Sequence, residues 1–116
     1  MPESLGAAVE VQVTKADNGA TLRAAPDDVL VIGLAETPTT GYRWDVDRVD
    51  EGVLELRDSQ YFAPVTRAPG APGERRVIVD VVSTGNGEVR LALRRRWGGG
   101  EPVDHFGILV DVQQRG

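Results

Sequence analysis

The chain has 116 residues, 41% of them apolar and 27% charged, the proportions of an ordinary globular protein of one domain, residues 1–116. A net charge of −5 gives nucleic acid or an anionic membrane no overall attraction, and the absence of cysteine removes thiol chemistry and cysteine metal sites. No run approaches the ~20 apolar residues of a membrane span, and the opening "MPESLGAAVE" lacks the basic and apolar regions of a signal peptide, so the chain as it stands is expected in the cytoplasm, or outside it or in the periplasm if it has been trimmed.

Taken in chain order, the dominant period is two. Short strands are expected at residues 9–13 and 20–24. In "DVLVIGLA", Leu30, Ile32 and Leu34 share one face. Residues 42–47 and 53–62 follow as strands, with Trp44 alternating with Tyr42 and Val46 and therefore expected in the core. "RRVIVDVV" places Val77, Val79 and Val81 on one side, "EVRLALR" does so with Val89, Leu91 and Leu93, and "DHFGILVDV" with Phe106, Ile108, Val110 and Val112. Such alternation marks half-buried strands of antiparallel sheets. Helical spacing is scarce; "VDRVDEGVLEL" offers one possible turn and no longer stripe.

Turn signals separate the runs: "ADNGA", "APDD", "TPTTG", "APGAPG", "STGNG" and "WGGGEP". Asn18-Gly19 and Asn86-Gly87 tolerate the positive φ of tight hairpins. Seven or eight short strands at this spacing predict an all-β fold, an antiparallel sandwich of two sheets about 10 Å apart.

Catalytic chemistry finds little footing. Serine or threonine hydrolysis needs a base oriented by a third group. The single histidine, His105, sits beside Asp104 in an expected strand, where neighbours point to opposite faces. Asp45, Asp47 and Asp50 come nearest to a calcium loop, but the first two continue a strand. "WGGGEP" lacks the lysine and helix of a phosphate loop. No enzyme activity, metal or cofactor is expected.

Three loops stand out instead. In "TPTTG", Pro38 fixes its own φ and extends Thr37, Thr39 and Thr40 are stiff at χ1, and Gly41 permits a turn closed to other residues. "TRAPGAPGERR" is long for a hairpin yet shaped by two prolines and two glycines. "RRRWGGGEP" puts Trp97 at the mouth of a glycine-rich turn, where an exposed indole is a strong interface anchor. In a sandwich these loops can gather at one end, a stiff central wedge with a flank on each side.

With these motifs in order over about residues 11–112, the chain resembles the chagasin family, immunoglobulin-like inhibitors of papain-like cysteine peptidases. "TPTTGYRW" is similar to the family's N-P-T-T-G-aromatic loop, "QYFAPVTRAPGAPG" to the approach and G-x-G-G loop, and "RRRW" stands where the family has R-P-W. The resemblance implies a reversible, tight-binding, non-catalytic monomer. Thr37, Pro38, Thr39, Thr40 and Gly41 would enter the peptidase cleft. Gly70, Ala71, Pro72 and Gly73 would touch one wall, and Arg96 with Trp97 the other. Thr37 replaces the family's asparagine, Pro72 its third glycine and Arg96 its proline, departures that bear on potency and on which peptidase is preferred. A binding or adhesion module using the same loops on a non-peptidase partner is the other reading.

Overall fold

The computed structural model describes residues 8–66, 68–97 and 100–115. The first seven residues, on which the leader reading rested, and Gly98-Gly99 of the glycine turn lie outside them. Eight strands lie among the described residues: β1 Glu10–Thr14, β2 Thr21–Ala24, β3 Val29–Glu36, β4 Tyr42–Val49, β5 Leu54–Phe62, β6 Gly73–Val81, β7 Gly85–Arg95 and β8 Asp104–Val112. They form two four-stranded sheets, ordered β1-β3-β6-β5 and β2-β8-β7-β4. The fold is thus the expected all-β, immunoglobulin-like sandwich.

The period-two stripes are what the sheets bury against each other. Leu30 pairs with Val79 and Ile32 with Val77 in one sheet, while Leu91 pairs with Phe106 and Val89 with Ile108 in the other. All eight side chains belong to the core, joined by Trp44, Leu54 and Val13. Polar neighbours on the same strands face outward, so burial enforces register: a slip of one residue would exchange the faces.

Three expectations need correction. The two edge strands β1 and β2 run parallel to β3 and β8, so the sheets are not wholly antiparallel. Asn18-Gly19 does not close a hairpin, because β1 and β2 belong to different sheets. Between them a 3₁₀ turn, Lys15–Asp17, is capped by Thr14 and Asp17, and Gly19 (φ 85°) completes the crossing. Gly19 N–H then donates to Gly107 O at 2.7 Å. Asn86-Gly87 lies inside β7, where a Cβ on Gly87 would stand 2.8 Å from Leu54 Cδ1; close approach of the facing sheet, rather than a turn, demands the glycine. The stretch "VDRVDEGVLEL" holds one turn and no helix, as expected: β4 ends at Val49 after a bulge near Val46, and Leu54 N–H donates to Asp50 O at 3.0 Å across a bend with Gly52 at φ 98°.

At one end of the sandwich, Asp28 is buried and its carboxylate accepts from Ala25 N–H at 2.9 Å and Val9 N–H at 3.0 Å. Arg115 donates to it from the other chain end. Burial opposes ionisation here, but the Ala25 and Val9 amides and Arg115 outweigh it and hold the carboxyl below the usual range.

Candidate functional site

Strand ends decide which loops meet. Glu36, the last residue of β3, pairs with Gly73, the first of β6; Tyr42, the first of β4, pairs with Arg95, the last of β7. The connections at residues 37–41, 63–72 and 96–103 therefore leave the sandwich at one end, and those at 25–28, 50–53 and 82–84 at the other.

The central connection is rigid for local reasons. Thr37 is extended (φ −119°, ψ 99°), Pro38 starts a single 3₁₀ turn, Pro38–Thr40, and Gly41 ends it at φ 84°, ψ −2°, where a side chain would be strained. Thr40 N–H donates to Thr37 O at 3.0 Å and Gly41 N–H to Pro38 O at 2.9 Å. The Thr40 hydroxyl also donates to Thr37 O, at 2.6 Å, and accepts from Tyr42 N–H at 3.3 Å. Thr37 makes no side-chain cap bond. Thr39 is exposed, and its hydroxyl has no partner among the described residues. The two threonines thus differ: one ties the turn, the other is presented.

Beneath the turn lies a buried ion pair. Glu36, 4% exposed, receives Arg75 at 3.2 and 2.8 Å and Trp44 N–H at 2.8 Å. Trp44 Nε1–H donates to Ala35 O at 3.0 Å. These bonds link β3 and β6 in one sheet to β4 in the other, directly where the chain enters and leaves the turn. Sequence reading missed this pair, although a signal existed. Glu36 continues the parity of Leu30, Ile32 and Leu34, and Arg75 that of Val77 and Val79, so two opposite charges fall on core faces.

The flanks are arranged differently. Arg96 N–H donates to Gly41 O at 2.9 Å, which fastens the third loop to the central turn. Proline could not make this bond. Trp97, one residue on, is 68% exposed, so its indole is not packed over the end of the core. On the other flank Gly70 (φ 75°) sits in a turn closed by Ala71 N–H to Ala68 O at 3.1 Å. Gly70 and Pro72 are exposed, Ala71 is half-buried and Gly73 is buried. A Cβ on Gly73 would lie 2.3 Å from the Tyr61 hydroxyl and 2.4 Å from Phe62 O. Gly73 therefore supports its loop from below instead of forming its surface. His105 is exposed on β8, and its own N–H donates to Asp104 Oδ1 at 2.8 Å.

Against known families, residues 23–110 match the model of the chagasin family peptidase inhibitor I42. The chain belongs to the chagasin family. Chagasin of Trypanosoma cruzi is 34% identical over 93 residues, covering 76% of this chain and 84% of that protein. Amoebiasin-1 of Entamoeba histolytica is 30% identical over 106 residues, covering 89% of this chain and all of its own. Among solved structures, a cysteine protease inhibitor from Entamoeba histolytica superposes with a TM-score of 0.82 at 22% identity, over 97% of this chain and 100% of that one, a likeness of fold. Within this chagasin-family chain, the departure at Thr37 leaves the turn held by Thr40, and the departure at Arg96 adds the N–H that reaches Gly41.

Proposed function

We propose that this protein is a reversible, tight-binding inhibitor of papain-like cysteine peptidases that fills the catalytic cleft with the turn at residues 37–41. The observation that carries the reading is one rigid end, in a chain of the chagasin family, where the free Thr39 hydroxyl and the exposed Trp97 indole are joined through Arg96 and Gly41. A turn already closed by its own hydrogen bonds loses little entropy on entering a groove. Thr39 can pair with polar groups lining the cleft, Trp97 presses on one wall, and Gly70, Ala71 and Pro72 shape the contact with the other. The chain works by occupancy and not by turnover, as a monomer that needs no cofactor and binds neither nucleic acid nor membrane.

Such an end can bury a standard interface of roughly 1,600 Å² in total. Titration against papain and cathepsin L is expected to give stoichiometric inhibition. The combined substitution Thr39→Arg with Trp97→Ala is expected to raise the inhibition constant by about 100-fold or more, about 2.7 kcal/mol or more. Full peptidase activity in the presence of equimolar wild-type protein would refute the reading.

A further inference from the structure

Arg94, Arg95 and Arg96 are consecutive and meet different fates. Arg94 is neutralised by Asp47, through two bonds of 2.6 and 2.9 Å. Arg95 and Arg96 are exposed, and neither has a carboxylate partner among the described residues. Arg95 instead stands 5.3 Å from the Tyr42 ring centroid and reaches the Tyr42 hydroxyl at 3.3 Å. Three acids near this end are already taken, Glu36 by Arg75, Glu74 by Arg76 and Asp104 by Lys15, which leaves the exposed Glu101.

The charge is therefore divided between the two ends. Among the described residues, the three connections beside the wedge carry Arg96 against Glu101, with Arg95 at their base. The far end carries Asp27 and Glu51, with no ion-pair partner among the described residues, beside Asp28 held by Arg115 and Asp50 held by Arg48 at 2.7 Å. Strand β7, 11 residues long, separates the two ends by about 35 Å at the usual strand rise. At physiological salt the screening length is about 8 Å, so an enzyme meeting the wedge feels the arginines and little of the acidic pole.

Resting on the inhibitor reading, we infer that the partner is a peptidase whose cleft rim carries carboxylates beside the wall that receives Trp97. Arg95 and Arg96 steer a net-acidic inhibitor onto it tip first. Steering of this kind acts on the association rate and fades with salt.

The test is stopped-flow association of the full chain with cathepsin L, and with a cathepsin L whose rim aspartates and glutamates are replaced by their amides. Arg96→Gln keeps the backbone N–H that bonds Gly41 and removes only the charge; Arg95→Gln with Arg96→Gln removes both charges. Between about 0.01 M and about 1 M salt, where the screening length falls from about 30 to about 3 Å, wild-type association is expected to slow by about tenfold or more. At low salt the single variant is expected to associate about threefold more slowly and the double about tenfold. The amidated enzyme is expected to erase these differences. Tight inhibition with a salt-independent association rate, or a double variant as fast as wild type at low salt, overturns this inference alone. A wild-type chain that binds neither enzyme overturns it together with the inhibitor reading beneath it.

Discussion

Thr39 and Thr40 are adjacent and identical in type, yet the structure gives them separate duties. Replacing Thr40 by valine removes the hydroxyl that donates to Thr37 O and accepts from Tyr42 N–H. This is expected to cost about 1 kcal/mol of stability, visible as a lower urea midpoint, and to weaken inhibition by loosening the turn. Thr39→Val keeps the shape and the internal bonds, so its urea midpoint should match wild type while its inhibition constant rises. Equal midpoints for both variants would contradict this division. The sequence shows two equivalent hydroxyls because it does not reveal which one bonds back to the turn's own backbone. The tryptophans were legible to different degrees for a similar reason. Trp44 sits in an alternating run, and its burial follows from parity; it is 4% exposed. Trp97 follows a strand end, where no period applies, and only the Arg96 bond and the indole's exposure place it.

Among the elements, the decisive join is between β3, β4 and β6. Glu36→Ala would leave Arg75 buried without its counter-charge and Trp44 N–H without its acceptor. Breaking one side of such a buried pair costs about 3–5 kcal/mol. Thermal unfolding should therefore occur well below the wild-type temperature, and Arg75→Ala should do the same. A loss under 1 kcal/mol in both would show that water already screens the pair. Strand identity was readable here because an apolar stripe at period two has one buried face whatever its neighbours. Strand partnership was less readable. Asn18-Gly19 has the residues of a hairpin, but β2 buries Ala24 in the sheet opposite β1, and that preference is set by distant β8. Asn86-Gly87 misleads likewise, since its glycine answers to Leu54, more than thirty residues earlier. Local composition carries turn propensity; sheet assignment is settled by long-range packing.

For the molecule as a whole, acid sensitivity follows from carboxylates the fold holds ionised. Asp28 is kept below its usual range against the cost of burial by Ala25 N–H, Val9 N–H and Arg115. Asp47 is lowered first by its bond to Arg94, and Asp104 by Lys15 against burial. A carboxyl with a depressed folded-state pKa stabilises the fold above its unfolded value, near 3.9, and that contribution disappears as pH falls through the folded value. Wild-type melting temperature is thus expected to hold steady at neutral pH and drop as the solution is acidified below about pH 4. Asp28→Asn is expected to melt lower than wild type at neutral pH and to show a shallower acid decline, which scanning calorimetry across pH would measure. Parallel curves for the two proteins would remove Asp28 from the acid response.

The same aspartate grips residues near both ends of the described chain, Val9 and Arg115, at the pole opposite Trp97. A tether coupled beside Val9 or Arg115 would hang the molecule by its blunt pole with the biting edge outward. Bead-bound protein should then retrieve a peptidase from solution as readily as free protein does, without a spacer arm.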